Sequence, residues 1–201
     1  MLLSVRILIG AGFLLLPSLA LAADLEKGLA AYFSGDYETS LTECEPLAEE
    51  GIADAQFCVG RLYANGFGVA MNDDLALQWY GRAAEQGHSE AQFSLGVMHA
   101  NGWGVTMNAE EAVNWYLLAA EQGYVEAQTN LARSYQKGRG VEQNLVQAYV
   151  WNHIALQLGN SDAKFERDEV ASKLPPEELA TAQQMADVWL SEHPDLVVAD
   201  N

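Results

Sequence analysis

The sequence predicts an all-α solenoid of stacked antiparallel helix pairs, and two observations indicate this fold class. First, a stretch of 36 residues that starts at Ala55 is followed at once by near copies that start at Ala91 and Ala127. Second, each copy contains two segments of helical periodicity separated by a turn with two glycines. A fixed period of this length is typical of repeat arrays, in which each helix pair buries its apolar face against its neighbours.

Residues 1–22 have the layout of a secretory signal peptide. Arg6 gives a short basic start, residues 7–16 are almost wholly apolar, and residues 20–22 read Ala-Leu-Ala, a small-x-small cleavage site. The alternative is an uncleaved anchor, although the apolar segment is too short to span a bilayer. We therefore expect a cleaved signal peptide and a periplasmic or secreted mature chain.

The composition is strongly acidic, with 28 Asp and Glu residues against 10 Lys and Arg, and a formal net charge of −18. This charge repels phosphate backbones and anionic lipid headgroups, so nucleic acid and membrane surfaces are unfavourable partners. A basic protein or peptide is a better candidate partner. A need for solubility explains the acidity equally well, so the charge argues against nucleic acid and membranes but does not identify a partner.

Residues 23–54 predict a degenerate leading helix pair. Its first helix covers residues 25–34, and its second covers residues 37–50 after a Gly-Asp turn. Asp36 is placed to accept hydrogen bonds from the free amides of the second helix. Pro46 removes one backbone donor inside that helix and predicts a bend or a tightening there.

The two cysteines of the chain predict a disulfide between this leading unit and the first repeat. Cys44 and Cys58 each lie seven residues from Gly51. If Gly51 is in a turn between antiparallel helices, equal offsets place both cysteines at the same height on neighbouring helices. An exported protein meets oxidising conditions, so we predict a Cys44–Cys58 disulfide. The alternative is a pair of small buried apolar residues.

Residues 55–162 contain the three copies of the repeat, and the first copy shows their common plan. Residues 55–65 form one helix, Gly66 and Gly68 break it, and residues 75–86 form the second helix. Small residues at the helix crossings allow close approach, while tryptophans and tyrosines fill the gaps between layers. The glycine pairs are turns rather than phosphate loops, because the third glycine and the preceding strand of such a loop are missing.

After the third copy the period fails, as is expected of a terminal unit. Residues 163–194 predict two capping helices, an amphipathic helix and a second helix that begins at a proline pair. We expect the pair to cover the last apolar face of the array, with Phe165 and Met185 on their apolar sides. Residues 195–201 are expected to form a loose tail.

The repeats resemble the Sel-one-like repeats, which are relatives of the tetratricopeptide repeat. The family pattern is roughly A-x3-LG-x2-Y-x2-G-x-GV followed by A-x2-W-x3-AA-x-QG. In the first copy this pattern stands as Ala55, Val59-Gly60, Tyr63, Gly66, Gly68-Val69, Ala76, Trp79, Ala83-Ala84 and Gln86-Gly87. The second copy has the same spacing, with His99 at the position of Tyr63. In the third copy Ala132 stands at the position of Gly60.

This resemblance implies a right-handed, tetratricopeptide-like α-solenoid that binds other proteins, with no shared catalytic residue and no cofactor. Bacterial members of the family often act as periplasmic or secreted scaffolds. Some cysteine-rich secreted relatives have been linked to β-lactam binding, but they carry a disulfide in each repeat, whereas this chain has two cysteines in total.

The sequence contains no recognisable catalytic or metal-binding constellation. His88, His99, His153 and His193 fall in four different units, and the cysteines lack C-x2-C spacing. Ser94 lacks the G-x-S-x-G setting of a nucleophile. We therefore predict a non-enzymatic scaffold without catalytic residues, metal or cofactor. Two alternatives are an envelope enzyme, such as a β-lactam-binding or peptidoglycan hydrolase, and an assembly protein that self-associates.

The remaining candidate for function is the surface formed by the first helices of the repeats. If these helices line a concave face, as in tetratricopeptide-type arrays, the residues available to a protein partner are Arg61, Phe57, Phe93, Val97, Arg133 and Gln136. The two phenylalanines are either anchors for a bound segment or packing residues between successive first helices, and packing is the favoured interpretation. Arg61 and Arg133 are better surface candidates, because an arginine is costly to bury unpaired.

Overall fold

The computed structural model describes residues 16–197, and this part of the chain forms ten α-helices and no β-strand. The helices are α1 Leu16–Ser34, α2 Tyr37–Glu49, α3 Ala53–Asn65, α4 Asp73–Glu85, α5 Ser89–Asn101, α6 Ala109–Glu121, α7 Val125–Lys137, α8 Leu145–Gln157, α9 Ala163–Ala171 and α10 Pro176–Glu192. From α1 to α8, each helix packs mainly against the helices before and after it in the chain, and both α9 and α10 pack on α8. The predicted solenoid of stacked helix pairs is thereby confirmed.

The six helices of the repeats, α3 to α8, are each 13 residues long. Both helices of a repeat begin two residues earlier than the sequence pattern predicted. For the second helix the reason is an asparagine cap: the Asn72 side chain accepts a hydrogen bond from the Leu75 amide at 3.0 Å, and Asn108 and Asn144 cap α6 and α8 in the same way. Each first helix ends at a glycine in the left-handed conformation, such as Gly66 with φ 67°.

In the leading pair, α1 and α2, Asp36 caps the second helix as predicted, and Pro46 lies inside that helix. The Asp36 carboxylate accepts a hydrogen bond from the Thr39 amide at 3.2 Å, and α2 continues beyond Pro46 to Glu49. Helix α1 begins at Leu16 and therefore includes the predicted cleavage point after Ala22. The rest of the predicted signal peptide lies outside the described residues. No helix within residues 16–197 combines the length and the apolar character needed to cross a membrane.

One buried glutamine in each repeat joins that repeat to the helix pair before it. The Gln56 side-chain nitrogen donates to the carbonyl of Ala48, near the end of α2, at 3.1 Å. Its side-chain oxygen accepts a hydrogen bond from the side-chain nitrogen of Gln86, the residue that follows α4, at 2.7 Å. Gln92 makes the same two bonds one repeat later, at 3.2 and 2.7 Å. A single side-chain amide therefore fixes three helices relative to one another.

The third repeat keeps only half of this arrangement. Gln128 donates to the carbonyl of Ala120 at 3.1 Å, but Leu158 stands where Gln86 and Gln122 stand in the earlier repeats. The Gln128 side-chain oxygen is buried and has no hydrogen-bond partner within residues 16–197. Leu158 instead joins the apolar core at the end of the array.

A tyrosine from the second helix lies directly on a glycine of the first helix in the first two repeats. A Cβ on Gly60 would lie 2.6 Å from the Tyr80 ring, and a Cβ on Gly96 would lie 2.5 Å from the Tyr116 ring. In the third repeat both partners change together. Ala132 replaces the glycine, and Asn152, which is fully buried, replaces the tyrosine. The smaller amide makes room for the added methyl group.

The capping helices pack on α8, but two of the residues expected on their apolar sides do not face the array. Helix α10 buries Ala182 and Ala186 completely, whereas Met185 is 39% exposed. Helix α9 buries Val170, whereas Phe165 is 76% exposed. The inward placement of Met185 and Phe165 was therefore wrong. Helix α10 makes contact through Ala182 and Ala186 and through the partly buried Leu179, Trp189 and Leu190, whereas the residue before Ala186 in the sequence points outward.

The start of the predicted tail contacts the core. Leu196 packs against the end of the array, and a Cβ on Gly123 would lie 2.7 Å from one of its methyl carbons. Residues 198–201 lie outside the described part of the chain.

The glutamine arrangement predicts a difference between two matched substitutions. Gln92→Leu removes two buried hydrogen bonds, whereas Gln128→Leu removes one bond and an oxygen that already lacks a partner. We expect Gln92→Leu to lower the free energy of unfolding by about 1 kcal/mol more than Gln128→Leu does. Urea unfolding of both variants measures the difference. Equal losses would contradict the role of the Gln92–Gln122 bond.

Candidate protein-interaction surface

The candidate surface consists of the outward positions of α3, α5 and α7, and we call it the first-helix surface. It comprises residues 57, 61 and 64, residues 93, 97 and 100, and residues 129, 133 and 136. The six binding residues predicted from the sequence belong to this set. The structure gives them three different environments.

The two phenylalanines pack within the array. The Phe57 ring lies 4.5 Å from the ring of His88 and 5.7 Å from that of Tyr80, measured between centroids. Phe93 has the same neighbours one repeat later, Tyr116 and Tyr124, at 5.9 and 5.1 Å. Each phenylalanine thus fills the space between the second helix of its own repeat and the start of the next first helix. This geometry corresponds to the packing interpretation.

Arg61 and Arg133 are both held by other side chains. The Arg61 guanidinium lies over the Tyr32 ring at 4.1 Å, and so connects α3 to the leading helix α1. Arg133 forms an ion pair with Glu166 of the capping helix α9, at 2.8 Å, and its side chain remains 42% exposed. Gln136 donates to Glu169, also on α9, at 3.4 Å. The acidic capping helix therefore covers part of the last first helix.

Two pockets open on the first-helix surface between consecutive repeats. The first inter-repeat pocket has a volume of about 210 Å³ and lies between α3 and α5, with Ala64, Asp73, Tyr80, Phe93, Val97 and Trp103 in its lining. The second inter-repeat pocket has a volume of about 140 Å³ and lies between α5 and α7, with Ala100, Ala109, Tyr116, Asn130, Arg133 and Arg139 in its lining. Neither lining includes a histidine, cysteine or lysine.

The two pockets are built largely from equivalent positions, because seven lining residues of one differ in number from seven of the other by the repeat length of 36. Ala64 and Tyr80 of the first pocket correspond to an alanine and a tyrosine in the second. The other positions change in character. Val97 is replaced by Arg133, and Trp103 is replaced by Arg139. The array therefore presents the same cavity twice with different chemistry.

Between the leading pair and the first repeat, the place where such a pocket would lie is filled by aromatic rings. Phe67, at the position of Trp103, stacks on Tyr37 with a centroid distance of 4.4 Å and an interplanar angle of 13°. Tyr32 lies against both rings. In the next repeat Asp73 stands at the position of Tyr37, no ring between residues 16 and 197 stacks on Trp103, and Trp103 is 51% exposed.

Burial moves the pKa of the tyrosine in each pocket further above physiological pH. Loss of solvent raises the pKa of Tyr116 to about 12 and raises the pKa of Tyr80 as well. Both phenols are therefore neutral at physiological pH and can donate a hydrogen bond. Within residues 16–197, no group of three or more His, Cys, Asp or Glu side chains is placed to hold a metal ion.

Comparison with known protein families assigns the repeats. The family described as Sel1 repeat matches residues 53–88, 89–124 and 125–160, which together make up more than half of the chain. The chain belongs to the Sel1 repeat family. These boundaries coincide with the starts of α3, α5 and α7, two residues before the alanines that mark the period in the sequence.

Solved structures with the same fold support this assignment. A crystal structure of a Sel1 repeat protein from Oxalobacter formigenes is 40% identical, with a TM-score of 0.60, and the match covers 64% of this chain and 97% of that one. The structure of c5321, a protective antigen present in uropathogenic Escherichia coli strains and displaying an SLR fold, is 25% identical, with a TM-score of 0.53. That match covers 90% of this chain and 49% of the antigen. A comparison with curated proteins found no match.

Of the pocket residues, the sequence prediction included only Phe93, Val97 and Arg133, and among those it missed are the charged and aromatic side chains of Asp73, Trp103 and Arg139. The prediction considered only the first helices, whereas these residues lie in the turns and at the start of the second helix. When the Sel1 repeats are aligned, the sequence does point to two of these residues, Trp103 and Arg139. The position after the helix-ending glycine holds Phe67, Trp103 and Arg139 in turn, and a position without a constant packing role is free to serve recognition.

The two cysteines lie side by side at the junction of the leading pair and the first Sel1 repeat. Both are buried and free in the structure, with their sulfur atoms 2.8 Å apart. The Cys44 thiol donates to Cys58, and this hydrogen bond raises the pKa of Cys44 and lowers the pKa of Cys58. A bonded pair requires a sulfur separation of about 2 Å, so a small movement would suffice to close the disulfide. The disulfide remains a prediction.

Protein purified without reductant should contain no thiol that an alkylating reagent can modify after unfolding. Closure of this loop is expected to add about 3 kcal/mol to the free energy of unfolding, because it restricts the unfolded chain. Intact mass spectrometry after alkylation tests the bond, with a fully reduced sample as the control. Two alkylated cysteines in the unreduced sample would show that the pair serves only as buried apolar residues.

Proposed function

We propose that this chain is an exported scaffold that binds a protein partner through its first-helix surface and catalyses no reaction itself. Sel1 repeats generally mediate protein–protein interactions, and membership of this family gives the general class of function. The observation that carries the proposal is the series of two open pockets on one surface. An extended segment of a partner that lies across the first helices would contact both.

The half-exposed tryptophan supports this choice of surface. Trp103 exposes 51% of its surface at the mouth of the first inter-repeat pocket, and exposed tryptophans are enriched at the energetic centres of protein interfaces. The equivalent Phe67 is covered by Tyr37 and Tyr32, so exposure is not a requirement of the repeat itself. Trp103 is free to bury its ring against a partner.

Export is supported by the sequence of the first 22 residues, which have the charge, length and cleavage site of a signal peptide. The mature chain then begins at Ala23 and keeps the helix pairs from the later part of α1 onward. Its location would be the periplasm or the cell exterior. This compartment also accounts for the predicted disulfide.

Protein recovered from cells that carry an export pathway is expected to begin at Ala23. The reason is that residues 20–22 provide the small side chains that signal peptidases require. Mass spectrometry of the intact N-terminal peptide makes the measurement, with a variant that has Ala20 and Ala22 changed to leucine as the uncleaved control. A chain that starts at Met1 in the native protein would contradict export by this route.

Truncation of the exposed tryptophan tests the interaction surface. We expect Trp103→Ala to weaken capture of the partner at least tenfold, since removal of a central interface aromatic costs about 2 kcal/mol or more. Leu118→Ala is the matched control, because Leu118 is 45% exposed but lies on the second helix α6. The measurement is quantitative co-purification from the native host with the mature chain and both variants. Equal capture by all three proteins would argue against the first-helix surface.

A further inference from the structure

The contrast between the two inter-repeat pockets is a contrast of charge. Both are formed by the same positions of neighbouring Sel1 repeats, so their walls have the same backbone frame. The lining of the first contains one carboxylate, from Asp73, and no basic side chain. The lining of the second contains Arg133 and Arg139 and no carboxylate. Equivalent cavities with opposite charge are suited to two different side chains of one ligand.

The first inter-repeat pocket has the composition of a site for a long basic side chain. Trp103 and Phe93 offer aromatic surface against which an alkyl stem can pack, and a cation is attracted to the face of an indole ring. Asp73, in the first turn of α4, forms no ion pair with any residue between 16 and 197. Its carboxylate is available to a lysine or arginine from outside.

The second inter-repeat pocket has the composition of a site for a carboxylate. Arg139 is exposed and has no ion-pair partner in the described part of the chain. Arg133 is bound to Glu166 and Asn130, but its guanidinium carries more donors than these contacts use. The neutral phenol of Tyr116 adds a further donor. Arginine binds carboxylates through paired hydrogen bonds, which gives geometric specificity.

The spacing of the pockets fits an extended peptide. Successive first helices in a packed array lie about 10 Å apart. An extended chain advances roughly 3.3 Å per residue, and every second side chain points to the same side. One peptide can therefore place a basic residue in one pocket and an acidic residue in the other when the two are about two or four residues apart.

We propose that the two pockets bind side chains of opposite charge from one extended segment of a partner protein. Asp73 and Trp103 bind a lysine or arginine, and Arg133 and Arg139 bind an aspartate, a glutamate or a terminal carboxylate. This inference rests on the proposed function and specifies the ligand that the first-helix surface selects. It also explains how a chain with a net charge of −18 can accept an acidic residue, since Arg139 brings to the second pocket a positive charge that no ion pair between residues 16 and 197 compensates.

The test is selection of a displayed library of random linear peptides on the mature chain and on two variants. Asp73→Ala and Arg139→Trp each introduce the residue that the neighbouring repeat carries at the same position, so both are expected to fold. Circular dichroism and thermal unfolding check this. Peptides retained by the unmodified chain should carry a basic and an acidic residue at a constant separation.

Each variant should lose the preference for one of the two charged residues in the retained peptides. Asp73→Ala should abolish the enrichment of lysine and arginine while it keeps that of acidic residues, and Arg139→Trp should do the reverse. A labelled peptide with both charges should bind each variant about tenfold more weakly, and the difference should shrink as salt is added.

Two outcomes would overturn the inference. Retained peptides without paired charges, or with preferences that neither variant changes, would show that the pockets do not select by charge. Retention of no peptide would show that the surface does not bind extended segments. The proposed function would still be judged separately, because co-purification with Trp103→Ala measures capture of a whole partner protein by the same surface.

Discussion

The structure depends on one buried hydrogen-bonded amide in each repeat. A buried glutamine cannot be left without partners at low cost, so its two bonds restrict where the neighbouring helices can lie. For Gln56 these partners are a carbonyl eight residues before it and an amide thirty residues after it. The first bond crosses to the preceding helix pair, the second joins the two helices of the same pair, and together they leave little freedom in the separation of the three helices. The tyrosine that lies on Gly60 sets the closest approach within a pair in the same way. The regular spacing of the pockets follows from these two contacts.

Because these contacts lie between the helices, the outward positions of the first helices and the turns are free to vary. The chain uses this freedom differently at three equivalent positions. Phe67 is covered by aromatic residues of the leading pair, Trp103 is half exposed beside Asp73, and Arg139 is exposed near Arg133. The frame is thus constant, whereas the chemistry it presents changes from one repeat to the next. Such a division suits a protein that recognises a partner through several small sites in a row.

The sequence predicted the fold because its period, its turn glycines and its caps are local signals. The candidate site was less predictable, since each pocket combines residues from two neighbouring repeats, such as Asp73 and Trp103. Periodicity placed Phe57 and Phe93 on the first-helix surface, but their neighbours in the next repeat decide that they pack inward. The partner of Arg133 lies on α9, beyond the end of the period. Met185 was misplaced because the sequence of α10 does not show where the side that contacts the array ends.

The end of the repeat array differs from its interior, and this difference bears on how the array can lengthen by gene duplication. An extra copy inserted after the first or second repeat would meet a junction of the same kind, because the glutamine of each following repeat donates to a backbone carbonyl of the repeat before it. After the third repeat, Lys164 stands at the position of Gln92 and Gln128, so no glutamine joins α8 to α9. The far end is therefore specialised for closure by α9 and α10. Lengthening of such a scaffold during evolution is expected to occur from within the array rather than at its C-terminal end.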